Sequence, residues 1–346
     1  MAARAFITGL SGLTVSANER AFLKEAQPWG LIIFKRNVNT PQQVSKLTRS
    51  FRDAVGWEAL ILVDQEGGRV QRLGPPHWPA YPPGARYGAL FDRDVAFGLA
   101  AARLGGHLIA AELSLLGIDV DCLPLADVPG PGGDQVIGDR AYGTEPGKVA
   151  AIAGAIAQGL LAGGVLPVLK HLPGHGRASA DSHHQLPVVD TDRATLEATD
   201  FAAFRPLAGL PLGMTAHVVF SAIDPVAPAT TSVTMVREVI RGFIGFKGLL
   251  MSDDVSMKAL SGTIAERSRA AFAAGCDVVL HCNGDLNEMA AVAGAAPGLA
   301  GEAATRAEAA LAQRSAPESF DAEAARKIFT QMVDAERPSS QRKIGS

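Results

Sequence analysis

The 346-residue sequence has few cysteines, few aromatics and no excess of charge of either sign. Cys122, Cys276 and Cys282 are an odd set without CxxC spacing, which excludes a disulfide framework and a zinc ribbon and suits a reducing compartment. Three Trp and three Tyr provide no row of stacking platforms, so a long polysaccharide groove is not expected. Lys and Arg number 32 against 35 Asp and Glu, and a formal charge of −3 makes no basic field for a polyanion. No apolar run approaches the ~18 residues of a membrane span. The opening MAARAFITGLSG lacks the basic and long apolar regions of a secretion signal. These absences lead us to expect a cytoplasmic monomer with no nucleic-acid or membrane partner.

What is present is core-forming material: 47% of residues are hydrophobic and 19% charged, a composition too apolar for a disordered chain. No Ser/Gly-rich or charge-block linker divides the chain, so one domain is expected over 1–336 with a loose tail at 337–346. Eight short apolar runs, at 5–8, 30–34, 59–63, 118–122, 165–169, 212–215, 248–251 and 277–280, read as strands. Between several of them stand helix openings of the capping-box type: Ser16 with Glu19, Thr40 with Gln43 after Pro41, and Thr263 with Glu266. Apolar strands alternating with helices indicate a parallel sheet covered on both faces. A count of eight favours a closed (β/α)8 TIM barrel of the α/β class, an open doubly wound sheet being the alternative. Two further helices are expected at the C-terminal end, from Leu286 to about Arg314 and from Asp321 to about Glu336.

Polar residues stand where these runs end: Asp64, Lys170 with His171, His217, Asp253 and His281. In a parallel barrel all strand C-termini open on one face, so side chains distant in sequence converge on one mouth. Any one of them is equally a residue marking where a strand leaves the core; the set points to a site. Segment 170–187, KHLPGHGRASADSHHQLP, holds four of the eight histidines, and its Gly and Pro residues make it a loop over that mouth. A polar surface loop is the plain alternative. Zinc is disfavoured, because Pro and Gly between His171 and His175 break the helix that an HExxH site needs. Within Asp181-Ser182-His183 the carboxylate can orient the imidazole and favour its charged form, an acid/base dyad working near neutral pH.

The segments ILVDQEGGRVQRL (61–73), VIGDRAYG (136–143), KHLPGHG (170–176), DSHHQLP (181–187), MTAHVVFSAIDP (214–225) and MSDDVSM (251–257) resemble, in this order, glycoside hydrolase family 3. The resemblance is to its bacterial β-N-acetylglucosaminidases of the NagZ type. It covers roughly residues 5 to 285 and implies a TIM barrel needing no cofactor or metal. Carried over residue by residue, it implies Asp253 as nucleophile, His183 as proton donor and acceptor, and Asp181 as the residue that orients and tunes His183. Asp64, Arg72, Arg140, Lys170 and His171 match the positions that grip the N-acetylglucosamine. Asp254 competes with Asp253, since two adjacent acids cannot be ranked by residue type alone.

The implied reaction is the retaining removal of terminal N-acetylglucosamine, an amino sugar, from small muropeptides such as N-acetylglucosaminyl-1,6-anhydro-N-acetylmuramic acid, in cell-wall recycling. Retaining glycosidases usually employ two carboxyl groups; here a histidine takes the acid/base role, which its pKa near 6.5 suits without burial. Asp253 is expected to stay ionised beside Lys170, Arg72 and Arg140. Asp64 and Arg140 read as hydroxyl clamps or, as commonly for such residues, as a salt bridge at the barrel rim. Arg177-Ala178 departs from the Asp-Thr pair usual in the family, which bears on how the loop hinges and packs. About 60 residues follow the last strand, too few for the sandwich domain of larger members. Rival readings are a phosphorylase using the same residues, a metal-dependent barrel hydrolase, disfavoured because no HxH follows the first strand, and a non-catalytic amino-sugar sensor.

Overall fold

Alternation along the short apolar runs explains why they close on themselves. In a computed structural model, which describes residues 3–130, 136–178 and 186–335, eight strands form a closed barrel: β1 (Arg4–Thr8), β2 (Pro28–Ile33), β3 (Leu60–Val63), β4 (Val120–Asp121), β5 (Leu166–Leu172), β6 (Leu212–Thr215), β7 (Leu249–Asp254) and β8 (Val278–His281). Every neighbouring pair is parallel, and β1 closes onto β8 in the register Thr8 opposite His281. Side chains of period two divide between two cores. Leu60, Leu62, Leu166, Val168, Leu249 and Met251 pack with one another in one cluster, while Ile61, Val63 and Leu169 pack against the surrounding helices in another. The expected closed barrel is thus the observed one.

Helix entries follow local chemistry. Ser16 with Glu19 and Thr263 with Glu266 form reciprocal capping boxes. At Thr40 only half of the expected box forms: Thr40 accepts the Gln43 N–H, but Gln43 accepts from Asn39 instead. The helix expected over 286–314 is two helices, Leu286–Ala295 and Gly301–Leu311, because Pro297 and Gly298 interrupt it. The last helix, Ala322–Asp334, brings Phe329 within 6.0 Å of the Tyr81 ring and 6.4 Å of the Tyr87 ring, measured between centroids. It packs as an addition to the barrel, as expected. The tail expected at 337–346 lies outside the described residues.

Strand β5 runs on through Lys170, His171 and Leu172, so the loop expected from residue 170 begins only at Pro173. Two glycines in the barrel-mouth loops meet specific demands. Gly67 adopts φ +95° in the turn after Glu66, where a side chain would also press within 2.4 Å of the Pro82 carbonyl oxygen. At Gly176 the reason is crowding: a Cβ there would lie 2.0 Å from the Val128 carbonyl oxygen.

Candidate active site

The inward-facing columns of three strands change character at the same height. Leu60 and Leu62 are followed by Asp64, Leu166 and Val168 by Lys170, and Leu249 and Met251 by Asp253. Because the side-chain period is two, the residue that ends each apolar column faces the barrel axis just above the packed interior. Those three side chains, with Glu66, Arg140 and His171, line one pocket of about 140 Å³ at the strand C-termini. Residues from four separate segments meet there, as the run-end polar residues foreshadowed.

The floor is a network of buried ion pairs. Lys170 Nζ lies 3.0 Å from Asp64 Oδ1 and 2.6 Å from Glu66 Oε1. Arg72 Nη2 donates to Asp64 Oδ2 at 2.8 Å, and Arg140 grips Glu66 with Nε and Nη2, both at 2.8 Å. Phe34 lies under the Arg72 guanidinium, 5.0 Å from ring centroid to Cζ. Burial alone would push the Asp64 carboxyl up, but Lys170 and Arg72 overcome it and hold the group well below the usual carboxylate range. Glu66 is likewise pushed up by burial and pulled down further by Arg140 and Lys170, to about 2. Burial opposes the charge of Lys170, yet Asp64 and Glu66 raise its pKa; Glu66 does the same for Arg140. Asp64 and Arg140, read as clamps or as a rim salt bridge, are ion-paired, but on the pocket wall and with different partners. The network forms a charged cradle on the pocket wall.

Adjacent acids on β7 separate by their contacts. Asp254 Oδ1 accepts the N–H groups of Ser256 at 2.9 Å and Cys282 at 3.1 Å, and its Oδ2 accepts the Ser256 hydroxyl at 2.6 Å. Asp253 Oδ1 accepts the Asp254 N–H at 2.7 Å. Removal from water pushes the Asp253 carboxyl up; His217, His171, the Asp254 N–H and then Lys170 outweigh this and hold it below its ordinary value. The expected stabilisers were Lys170, Arg72 and Arg140. Imidazoles lead instead, and of the three expected cations Lys170 contributes after them. His217 is buried, pairs with Thr230 Oγ1 at 2.7 Å and donates from Nε2 to the Asp254 carbonyl at 3.0 Å, bracing the same strand end.

Beside it, His171 is held by Asp127: Nδ1 lies 2.7 Å from Oδ2, while Oδ1 accepts the backbone N–H of His175 at 2.6 Å and of His171 at 3.3 Å. One buried carboxylate thereby fixes the start of the histidine-rich segment. Burial, then the neighbouring His171, lowers His175 to about 4, so its ring is neutral at physiological pH. Arg177, the departure from the family pattern, donates from Nε to Asp200 Oδ2 at 2.6 Å and from Nη2 to the Thr199 hydroxyl at 3.1 Å, and Ala178 is buried.

His281, counted with the mouth residues, faces away from it. Its strand neighbours Val278 and Leu280 take the inward positions, and its Nε2 meets Glu288 Oε2 at 3.0 Å. His183 and Asp181 lie outside the described residues. Glu66, Asp127 and Asp121 were not singled out from sequence. Glu66 stands two residues beyond Asp64, and the alternation that places Asp64 extends to it. Asp121 is buried and accepts the Gln65 N–H; burial leads the rise of its carboxyl to about 8, and its Oδ2 has no partner among the described residues. Among those residues no cluster of three or more His, Cys, Asp or Glu is arranged to hold a metal ion.

Comparison with known proteins agrees with this architecture. The glycosyl hydrolase family 3 N terminal domain matches residues 6–312. A beta-hexosaminidase of Alkalilimnicola ehrlichii is 43% identical over 281 residues, which is 80% of this chain and 79% of that protein. The crystal structure of native NagZ from Neisseria gonorrhoeae superposes with a TM-score of 0.83 at 31% identity, covering 96% of each chain. The same Neisseria protein in complex with N-trifluoroacetyl-D-glucosamine superposes with a TM-score of 0.80 at 31% identity, over 96% of this chain and 99% of that one.

Proposed function

The chain belongs to glycosyl hydrolase family 3, and from that premise we propose a retaining, exo-acting β-N-acetylglucosaminidase that works through a covalent glycosyl intermediate on Asp253. It is a glycoside hydrolase of the β-N-acetylhexosaminidase type. The observation that carries the finer reading is the inward column ending at Asp253, which aims one carboxylate at a pocket already walled by Asp64, Glu66, Arg140 and Lys170. Such a cradle suits a neutral sugar with many hydroxyls, because carboxylates accept and guanidinium and ammonium groups donate.

In the first half-reaction the Asp253 carboxylate attacks the anomeric carbon while the bond from that carbon to the leaving oxygen breaks. His183, oriented by Asp181, gives its proton to that oxygen. In the second half, His183 takes a proton from water, the water oxygen attacks the anomeric carbon, and Asp253 departs as carboxylate. Two displacements return the original β configuration. Asp64, Arg72, Arg140, Lys170 and His171 hold the sugar. For its substrate we propose N-acetylglucosaminyl-1,6-anhydro-N-acetylmuramic acid and its peptide forms, released by the turnover of peptidoglycan that accompanies growth and division. We place the reaction in the cytoplasm with the enzyme monomeric. No helix among the described residues is long and apolar enough to cross a membrane, and the three cysteines are buried and free, which is compatible with that setting.

The test is hydrolysis of p-nitrophenyl β-N-acetylglucosaminide with EDTA present and phosphate absent, following the product anomer by proton NMR. The β anomer should form first. First appearance of the α anomer contradicts a retaining mechanism, and turnover only on adding phosphate marks a phosphorylase.

A further inference from the structure

The last helix, Ala322–Asp334, lies beyond the residues 6–312 that carry the family match, and the proposed mechanism makes no use of it. Its contacts nevertheless reach the sugar pocket from behind. Arg326 Nη2 donates to the Tyr81 hydroxyl at 2.6 Å and to the Glu112 carboxylate on the helix Val95–Ser114. The guanidinium carbon also stands 4.8 Å from the Tyr81 ring centroid. Tyr81 is buried, and its backbone holds a hairpin of the pocket wall: its carbonyl accepts the Gly68 N–H at 2.9 Å, and its N–H donates to Gln71 Oε1 at 2.9 Å. Glu66 stands on that hairpin, Gln65–Gly67 paired with Val70–Gln71, and Arg72 follows it directly.

Arg140, the partner of Glu66, is backed by the same helix through a second route. The helix Gly84–Arg93 packs tightly on the Arg140 segment: a Cβ at Gly84 would lie 1.9 Å from the Arg140 carbonyl oxygen, and one at Gly88 2.0 Å from that of Tyr142. That helix in turn holds the end of the last one. Arg86 donates from Nε to the Val333 carbonyl at 2.6 Å and from Nη2 to the Ala335 carbonyl at 3.1 Å, and Arg93 Nη1 donates to the Ala335 carbonyl at 2.7 Å. Both sides of the Glu66–Arg140 ion pair thus rest on elements that the last helix joins.

We propose that Arg326 is a positioning residue for sugar binding: by tying Tyr81 to the last helix it fixes the hairpin that carries Glu66, and with it one wall of the pocket. The inference rests on the glycosidase reading above for the identity of the sugar. Arg326 stands outside the residues that line the pocket, so its effect passes through Tyr81, along a packed and hydrogen-bonded chain of the kind that couples distant groups.

The experiment measures, on full-length protein well below every melting temperature, the Kd for N-acetylglucosamine by calorimetry and kcat and KM for p-nitrophenyl β-N-acetylglucosaminide. Arg326→Ala should raise Kd and KM about fivefold while kcat changes less than about twofold. Tyr81→Phe, which keeps the ring, should raise them about threefold, and the double variant no more than Arg326→Ala alone, because both act through one contact. Arg314→Ala is the control: it removes an ion pair with Asp119 Oδ1, 2.9 Å long, at the N-terminal end of β4. It should lower the melting temperature without moving Kd or KM. An Arg326→Ala that melts lower but binds like wild type, or an Arg314→Ala that weakens binding equally, overturns the positioning role and leaves the glycosidase reading intact. A wild type that binds N-acetylglucosamine without hydrolysing the glycoside overturns the glycosidase reading, and the Kd values of the variants then still decide the role of Arg326. A wild type that does neither ends both.

Discussion

The backbone N–H of Asp254 donates a 2.7 Å hydrogen bond to Oδ1 of Asp253, while the Asp254 carboxylate is turned onto Ser256 and the Cys282 N–H. Two acids adjacent in sequence therefore have different work: one carboxylate remains available to the pocket, and the other ties the end of β7 to the end of β8.

That division predicts opposite phenotypes. Asp253→Ala should lose p-nitrophenol release by about a thousandfold or more while keeping the wild-type melting temperature, and added azide should restore part of the rate. Asp254→Ala removes three acceptor contacts and should lower stability by about 1–3 kcal/mol. Thermal melts and rate assays on both variants distinguish the roles; a destabilised Asp253→Ala and a stable, inactive Asp254→Ala would reverse them.

Glu66 links the cradle to acid stability. Its carboxyl lies near 4.5 when free and at about 2 in the fold, so the stability it contributes is present above about 4.5 and is lost as pH falls toward about 2. Glu66→Gln cannot titrate. Wild type should accordingly lose melting temperature across that interval more steeply than Glu66→Gln, and the two curves should converge in acid. Parallel curves would show that Glu66 is not held ionised by Arg140 and Lys170.

Asp121 has the opposite sign. Burial raises its carboxyl to about 8, so the protonated acid is the form the fold favours, and stability declines as pH rises from about 4 through about 8. Asp121→Asn mimics that neutral form and can still accept the Gln65 N–H with its side-chain oxygen. Its melting temperature relative to wild type should climb between pH of about 5 and about 8.5. A constant difference over that range would mean that Asp121 does not change protonation on folding.

Much of this site is readable as a period-two pattern. Leu60-x-Leu62-x-Asp64, Leu166-x-Val168-x-Lys170 and Leu249-x-Met251-x-Asp253 place three polar groups on the barrel axis, and the same alternation turns His281 outward. Asp127 was less readable. Strand β4 spans only Val120–Asp121, so Asp127 falls in irregular chain where no periodicity points a side chain, and its partners His171 and His175 are more than 40 residues away. The source of Asp253's ionisation is legible only in part: Lys170 contributes as expected, but His217 and His171 lead, and residue types alone do not reveal which neighbours stand nearest that carboxylate. The break between Leu286–Ala295 and Gly301–Leu311 was visible as Pro297-Gly298, and an Ala-rich helical composition obscured it.

The central claim is a covalent bond between the sugar and Asp253. Incubation with a 5-fluoro-N-acetylglucosaminyl donor, whose fluorine slows breakdown of the intermediate, followed by proteolysis and mass spectrometry, examines that bond directly. A glycosyl adduct on Asp253 in the peptide containing MSDDVSM is the predicted result. An adduct on Asp254, or continued turnover of the donor with no adduct at any time, contradicts the account.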